Sequence, residues 1–349
     1  MDTDFLIIGA GVIGLSCAAE LCRRGAKVTI VDRGACGGEA SWAGGGILSP
    51  LCPWDYPDEV TRLTARGAAL FPAWTEELHR ATGIDPEYRV SGMQVLPPFE
   101  RAAAEQWCAA HNVRVVCEAG GAALLLPDVA QVRNPRLLHA LRSRVEALGG
   151  RIVERCPVQE IAADAARVRK VATACGEFSA DAYIVTAGAW SKQVLGRHAL
   201  NLDIAPMRGQ MLLFKFEQPP LEHIVLQKDL YLVPRRDGHL LVGSTMENAG
   251  FDKSTTDAAR EDLSRRAAAI LPRLRGMLPI RHWAGLRPGS PRNIPTIGRH
   301  PRLQNLWVNS GHFRYGVTMA RASAEILLNE LEGAPQPFDV APYRAGWGA

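Results

Sequence analysis

The chain has 349 residues, of which 47% are hydrophobic and 22% are charged, as in an ordinary globular enzyme with room for two domains. The basic residues behind the net charge of +4 are scattered, which disfavours nucleic-acid binding, and no apolar run is long enough to cross a membrane. The eight cysteines lack metal-ligand spacing and the N-terminus lacks a targeting pattern. We therefore expect reduced thiols, no metal site and a cytoplasmic location.

The segment that ends at Asp32 predicts a dinucleotide-binding unit. A buried strand is expected at Phe5–Ile8, and a G-x-G-x-x-G motif, formed by Gly9, Gly11 and Gly14, then opens a helix. The first glycine of such a motif allows a tight turn, the second lets the backbone approach a pyrophosphate, and the third lets helix and strand pack closely. Asp32 ends a second strand and favours ribose hydroxyls over a 2′-phosphate, which leaves FAD or NAD. The alternative is a glycine-rich turn in an unrelated α/β domain.

Residues 33–48 are rich in glycine, and we expect neither a regular helix nor a good strand there. One interpretation is a flexible loop. However, the stretch also contains alanine, tryptophan, isoleucine and leucine, which favours burial. A buried glycine-rich backbone needs polar partners for its N–H groups, and a flat polar ring or a second phosphate would supply them.

Hydrophobic periodicity and turn residues predict the remaining elements in chain order. Helices are expected at 58–82, 101–112, 135–148, 256–271 and 317–331. Strands are expected at 88–96, 113–116, 151–154, 158–161, 168–174, 177–179, 182–186, 209–216, 230–234, 240–244, 280–288 and 306–312. The tail from residue 333, which is rich in proline and glycine, is expected to be peripheral.

A β-α-β pattern opens the chain, recurs near residues 135–190 and returns at 306–331, with two segments of antiparallel character between. This pattern predicts a mixed α/β protein with a discontinuous, Rossmann-like dinucleotide-binding domain made of residues 1–81, 133–205 and 283–349. The two inserts, residues 82–132 and 206–282, are expected to form an antiparallel-sheet substrate domain.

Four stretches together resemble the D-amino-acid oxidase family of FAD flavoproteins: 9–14 with Asp32, 41–48, 187–191, and 285–288 with 311–316. Within that family the chain is most similar to the branch that oxidises glycine and makes iminoglycine for the thiazole ring of thiamine. The resemblance implies FAD as the cofactor and a homotetramer. The sarcosine oxidase branch attaches its flavin through a cysteine, but no cysteine here follows residue 175, so non-covalent FAD is expected.

The resemblance also implies which residues contact FAD. The contacts fall at the pyrophosphate, the ribose, the flavin and its linker, the adenine, and the pyrimidine end of the flavin. The residues are Gly9, Gly11, Val12, Ile13, Gly14, Asp32, Arg33, Ala40, Ser41, Gly45, Gly46, Ile47, Val158, Ala187, Gly188, His312, Phe313, Arg314, Tyr315, Gly316, Val317 and Thr318. The N-terminus of the last helix would stabilise negative charge at the pyrimidine end.

Four residues match the catalytic positions of the family. Arg287 matches the arginine that binds the substrate carboxylate, and Tyr231 matches the tyrosine whose hydroxyl assists it. Met246 matches an apolar pocket wall, and Arg314 matches the residue whose carbonyl accepts from the amine. The alternatives are a structural ion pair for Arg287, an ordinary strand aromatic for Tyr231 and a core position for Met246.

The reaction implied is oxidation of the Cα–N bond of a small amino acid such as glycine, sarcosine or D-alanine. Its products are an oxo acid, ammonia and, through oxygen, hydrogen peroxide, with no obligatory protein base. Asp229 stands where the related branch has histidine, which leaves the substrate preference open. The rivals are a dehydrogenase with another electron acceptor, an oxidase of bulkier D-amino acids or N-methylglycines, and a flavin-binding subunit without catalysis.

Overall fold

The computed structural model describes residues 3–117 and 123–347, and statements about structure refer to these residues. Its strands in chain order are β1 (Phe5–Ile8), β2 (Val28–Val31), β3 (Arg89–Val90), β4 (Met93–Leu96), β5 (Val116–Cys117), β6 (Leu124–Leu126), β7 (Ala130–Gln131), β8 (Arg151–Val153), β9 (Val158–Ala163), β10 (Val168–Thr173), β11 (Gly176–Phe178), β12 (Ala182–Val185), β13 (Ala205–Lys215), β14 (Ile224–Gln227), β15 (Leu230–Pro234), β16 (His239–Gly243), β17 (Arg281–Gly289), β18 (Thr296–Arg299) and β19 (Leu306–Ser310).

The helices differ widely in length. They are α1 (Val12–Arg23), α2 (Ala40–Ala43), α3 (Asp58–Thr82), α4 (Arg101–Ala110), α5 (Asn134–Ala147), α6 (Ser191–Leu195), α7 (Asp257–Ile270), α8 (Gly316–Glu332) and α9 (Ala341–Arg344). Capping residues explain several of the boundaries. A glycine in the left-handed conformation ends α3 and another ends α8, and the Thr256 side chain accepts from Ala259 N at the start of α7.

A six-stranded sheet in the order β18-β19-β12-β1-β2-β8 forms the first layer, and all its neighbours are parallel except β18 and β19. Side chains alternate between its two faces. Ile7 lies in the core beneath α1, α3, α5 and α8, whereas Leu6 and Ile8 pack towards the three-stranded sheet of β9, β10 and β11. The apolar run in β1 is therefore buried on both sides, as a parallel strand requires.

An eight-stranded sheet in the order β17-β13-β16-β15-β14-β4-β6-β5 forms the second layer, and α7 packs against it. Its pairs are antiparallel except for β14 and β4, which run parallel. Together the two layers confirm the expected mixed α/β fold. The domain boundary expected at residue 283 falls inside β17, and residues 283–289 pair with β13 in the second sheet.

Several local expectations were wrong. The glycine-rich stretch 33–48 contains the short helix α2, because its Ala-Ser-Trp-Ala segment lacks glycine. The strand expected at 88–96 is interrupted by Gly92 in the left-handed conformation, which separates β3 from β4. The strand expected at 113–116 begins only at Val116. Strands β6, β7, β14 and β18 were not predicted, since two to four residues carry little periodicity.

The C-terminal tail is not peripheral as expected. Tyr343 is 1% exposed, and its hydroxyl donates to the carbonyl oxygen of Glu59 in α3 at 2.6 Å. Trp347 is also buried, with its ring 4.7 Å from the ring of His300. Two aromatic side chains therefore attach a tail whose proline and glycine content indicated only irregular structure. None of the described helices is both long and apolar enough to span a membrane.

Candidate active site

A cavity of about 470 Å³ lies where the carboxyl ends of β1, β2 and β12 face strands β15 and β17 of the second sheet. This is the edge at which parallel α/β sheets bind their ligands. Of the residues expected to contact cofactor or substrate, those that line it are Gly9, Gly11, Val12, Ile13, Asp32, Arg33, Ala40, Ser41, Gly45, Gly46, Ile47, Val158, Ala187, Gly188, Tyr231, Met246, Arg287, His312, Phe313, Arg314, Tyr315, Gly316, Val317 and Thr318.

Gly14 is the exception, because it lies behind the cavity wall. A Cβ there would stand 2.6 Å from the Thr186 hydroxyl oxygen and would collide with the carbonyl oxygen of Gly9. Its place in the motif therefore serves close packing of α1 against the sheet. Gly9 has a φ of +115°, and a Cβ there would stand 2.5 Å from the carbonyl oxygen of Thr186.

The first turn of α1 and the end of β2 form one end of the cavity. Ser41 lies in α2, and its Oγ accepts from the backbone N–H of Val12, the first residue of α1, at 3.0 Å. The Asp32 carboxylate accepts from Ala10 N at 2.7 Å and from Gly34 N at 2.8 Å. Burial raises the pKa of Asp32, while these two hydrogen bonds oppose the shift. Each oxygen retains a lone pair for a ribose hydroxyl.

The glycine-rich stretch is held from outside by two polar side chains. Asn134 Nδ2 donates to the carbonyl oxygens of Ser41 and Gly44 at 2.8 and 3.1 Å. Arg235 Nη2 donates to the carbonyl oxygen of Gly45 at 2.8 Å. Gly45 and Gly46 are buried, which supports the buried-loop interpretation over a flexible loop. With three carbonyl groups bonded on the outer side, the backbone along the cavity is fixed in place.

Arg235 is a residue that sequence analysis missed. It is fully buried, and that burial lowers the pKa of its guanidinium to about 10. Its Nη1 donates to Gln131 Oε1 and to the Val132 carbonyl oxygen, both at 2.8 Å. The available signal was a charged residue directly after the apolar strand β15, where a buried cation is costly unless it is hydrogen-bonded.

The end of the cavity near Asp32 also has aromatic and charged side chains at its edge. Arg33 lies 4.3 Å above the ring of Trp190, which contacts the ring of Phe251 at 5.6 Å. Lys253 Nζ binds both carboxylate oxygens of Glu39 at 3.0 Å. The segment that carries Phe251 and Lys253 thus contacts the cavity wall at two places.

Arg287 lines the cavity on the side of the second sheet, where substrate is expected. Its Nη2 donates to Ser244 Oγ at 2.5 Å and its Nη1 donates to the Thr245 carbonyl oxygen at 3.3 Å. No carboxylate within the described part of the chain forms an ion pair with it, so the structural ion pair considered above has no partner there. A guanidinium that holds only neutral acceptors retains the charge and donors to bind a ligand carboxylate.

Tyr231 and Met246 line the cavity beside this arginine. The Tyr231 hydroxyl donates to Met211 Sδ at 3.2 Å, and its ring lies against Gly45. Met246 is 39% exposed, and its sulfur accepts from Arg314 Nη2 at 3.2 Å, so it is no core residue. Because sulfur is a weak acceptor, the tyrosine hydroxyl has little to lose by bonding a ligand instead.

Asp229 also lines the cavity, which places the residue that departs from the family pattern at the site itself. Its Oδ1 accepts from Arg266 Nη2 of α7 at 2.5 Å. The carboxylate is half-exposed, and its negative charge is balanced by this arginine.

His312 lies buried beneath the start of α8. Its Nε2 forms a hydrogen bond of 2.9 Å with Ser323 Oγ, and burial lowers the pKa of the imidazole to about 3. The side chain is therefore neutral at physiological pH, so this part of the site carries no histidine cation.

Residues 4–329 match the family described as DAO, FAD dependent oxidoreductase. The chain belongs to this FAD-dependent oxidoreductase family. It is 42% identical to a glycine oxidase from Pseudomonas aeruginosa across 98% of both chains. It is 32% identical to the bifunctional protein ThiO/ThiG of Synechocystis, covering 93% of this chain and 51% of that one. The crystal structure of glycine oxidase from Geobacillus kaustophilus matches with a TM-score of 0.91, at 28% identity and 97% coverage of each chain.

The comparisons confirm the expected family, enzyme class and FAD cofactor. The structure supplies features that fit such a group in this oxidoreductase. Gly9 and Gly11 line the cavity without side chains, Asp32 retains acceptor capacity for a ribose, and the N-terminus of α1 borders the space with Val12 and Ile13. Gly44–Gly46 and the N-terminus of α8 border the other half, where a polar ring would find donors.

Proposed function

We propose that this enzyme oxidises glycine and related small substrates, such as sarcosine and D-alanine, at the Cα–N bond. The products would be an oxo acid (glyoxylate from glycine), ammonia and hydrogen peroxide. The observation that carries the proposal is Arg287, a guanidinium in the cavity whose acceptors among the described residues are Ser244 Oγ and the Thr245 carbonyl oxygen. Further support comes from the glycine oxidases that this chain resembles.

In this proposal the protein's part is binding and orientation. Arg287 binds the substrate carboxylate through two parallel N–H groups, and the Tyr231 hydroxyl exchanges its sulfur acceptor for a carboxylate oxygen. Met246 limits the room for a side chain on Cα, and the backbone carbonyl of Arg314 accepts from the amine. Bound FAD supplies an acceptor for the hydride and delivers the electrons to oxygen.

No protein base is assigned to the reaction. Asp229 is paired with Arg266, and neutral His312 is bonded to Ser323. A substrate amine that enters uncharged needs no proton removed by the protein before the hydride leaves. Fixing a substrate at two points supplies most of the rate enhancement through orientation.

A dehydrogenase that passes electrons to another acceptor is the alternative function. It shares every substrate contact, because the two reactions differ only in how the electrons leave. The amount of hydrogen peroxide formed per glycine consumed under air separates them. A ratio near one supports the oxidase.

The central test is anaerobic addition of glycine, sarcosine or D-alanine to the purified yellow protein. Bleaching of the flavin absorbance shows substrate oxidation, and its concentration dependence shows the preferred substrate. Arg287→Ala should bind FAD normally but need at least about a hundredfold more glycine, as expected for loss of a charged hydrogen-bonded pair. Normal glycine kinetics in that variant would remove Arg287 from the site, and a flavin that no amino acid reduces would indicate a non-catalytic subunit.

Four further statements belong to the same proposal. The FAD is non-covalent, the product serves thiamine thiazole synthesis, the protein works in the cytoplasm, and it assembles as a homotetramer. All eight cysteines, each within the described residues, are free thiols, which supports a reducing compartment. We also propose that the six-stranded sheet and its helices are the FAD-binding domain, and that the eight-stranded sheet is the substrate domain.

A further inference from the structure

The segment directly after β16, residues 244–247, supplies both acceptors that Arg287 has in the described part of the chain. Ser244 contributes its hydroxyl oxygen, Thr245 contributes its carbonyl oxygen, and Met246 forms a wall of the cavity. Arg287 extends from β17 across β13 to reach this segment, so its direction depends on where the segment lies. What holds the segment therefore also positions the arginine.

Glu247 fastens the segment to β13. Its backbone forms two hydrogen bonds with Arg208, each of 2.9 Å, one in either direction. Its Oε2 accepts from Arg208 Nε at 3.0 Å and also from Nη2. Its Oε1 accepts from Gln210 Nε2 at 2.9 Å. One carboxylate thus joins two side chains of β13, and both N–H groups of the arginine share its Oε2.

Thr245 connects this carboxylate to Arg287. Its hydroxyl donates to Glu247 Oε1 and accepts from the backbone N–H of Gln210 at 2.9 Å. Its carbonyl oxygen is the acceptor of Arg287 Nη1. The hydroxyl and the carbonyl belong to the same residue, so fixing the first limits how the second can turn.

Burial makes the contact with Glu247 more important than an ordinary surface pair. Arg208 is buried, and Glu247 is more enclosed than Asp252, which also binds Arg208 but has a half-exposed side chain. Hydrogen bonds to Thr245, Arg208 and Gln210 lower the pKa of Glu247 although its burial opposes the shift, so the residue stays ionised.

We propose that Glu247 is a positioning residue for substrate binding, acting through Thr245 on Arg287. This inference rests on the proposed function, because it assumes that Arg287 binds the substrate carboxylate. Glu247 touches neither substrate nor cofactor in this account. Its charge holds the acceptor that orients the arginine before substrate arrives, which lowers the cost of binding.

The test compares Glu247→Gln with wild type as FAD-loaded full-length protein. Glutamine keeps the size of the side chain but loses the charge that Arg208 requires. We expect the KM for glycine to rise about tenfold with kcat within about twofold, as for a lost charge-assisted hydrogen bond. The dissociation constant of glycolate, a carboxylate without an amine, should rise by the same factor when titrated by flavin absorbance.

Two more variants test the inference, one as a control and one as an independent disruption of the same contact. Asp252→Asn removes the exposed partner of the same arginine and should leave both quantities unchanged. Thr245→Val removes only the connecting hydroxyl and should raise both by about threefold, even if Glu247→Gln does not fold. A role limited to stability would instead lower the melting temperature or the FAD content and leave glycolate binding by the folded protein unaltered.

Unchanged glycolate affinity in folded Thr245→Val and Glu247→Gln would overturn the inference. Wild-type protein that binds glycolate while glycine leaves its flavin oxidised would overturn the proposed function alone. Wild-type protein that binds no glycolate would overturn both, because Arg287 would then hold no carboxylate.

Discussion

The guanidinium of Arg287 lies against the backbone of Gly209. A Cβ at position 209 would stand 2.5 Å from Arg287 Cζ, well inside van der Waals contact. In the paired strands β13 and β17, Met207 lies opposite Arg287, and Gly209 is two residues further along. The arginine therefore crosses diagonally over its neighbouring strand, and only a residue without a side chain leaves it that path.

Gly209→Ala should displace the Arg287 guanidinium while preserving the FAD end of the cavity. We expect the KM for glycine to rise at least about tenfold, because binding energy from a charged pair depends steeply on geometry. Steady-state kinetics with the flavin spectrum as a control for cofactor content is the measurement. An unaltered KM in the alanine variant would mean that the arginine does not work from its observed position.

Tyr231→Phe should weaken substrate binding less than the loss of Arg287 does. The hydroxyl donates to a thioether in the structure, so its removal leaves no strong acceptor unpaired within the protein. We expect the KM for glycine to rise about three- to tenfold, the range for one hydrogen bond, with the melting temperature within a few degrees. If wild type and Tyr231→Phe have the same kinetic constants for glycine, and also the same constants for sarcosine, the hydroxyl contributes nothing.

Arg235→Lys should weaken FAD binding, because lysine cannot serve Gly45, Val132 and Gln131 at once. We expect the dissociation constant of FAD, measured by titrating apoprotein, to rise at least about tenfold. Arg236→Lys is the matched control, since that neighbouring arginine is exposed. If both lysine variants bind FAD like wild type, the glycine-rich segment does not depend on this guanidinium.

His312 should make stability depend on pH in a defined window. Its pKa is about 3 in the fold, against 6.5 when it is unperturbed, so between these values only the unfolded chain binds the extra proton. The contribution of His312 to the free energy of unfolding is fully present above pH 6.5 and falls as the pH is lowered towards 3. The slope for one proton is about 1.4 kcal/mol per pH unit.

His312→Gln tests that dependence, because glutamine keeps a polar group near Ser323 but does not titrate. The free energy of unfolding of both proteins is measured in urea between pH 4 and pH 8 and plotted against pH. Below pH 6.5 the wild-type plot should be steeper by the slope of one proton. Parallel curves over the whole range would show that the buried imidazole is not the group responsible.

Local patterns in the sequence were enough to predict the framework of the site. The glycine motif and Asp32 predicted the opening β-α-β unit, because each glycine there meets a steric demand of the turn or of helix packing. The long helices α3 and α8 were predicted from their periodicity. Resemblance in four stretches predicted residues that line one cavity, apart from Gly14.

Other features became visible only in the folded chain. The strand β14 pairs in parallel with β4, about 130 residues earlier, and four residues contain no pattern that specifies such a distant partner. The roles of Arg235 and Glu247 depend on carbonyl and hydroxyl groups that folding brings together.

The amino-acid sequence by itself determined the opening β-α-β unit and most of the helices and strands, because these follow from local sterics and periodicity, and its resemblance in four stretches indicated the family and FAD. The tertiary structure alone decided which neutral acceptors orient Arg287 and which glycine gives it space. Those contacts join β13, β17 and the segment after β16, so their geometry arises only when distant parts of the chain pack together.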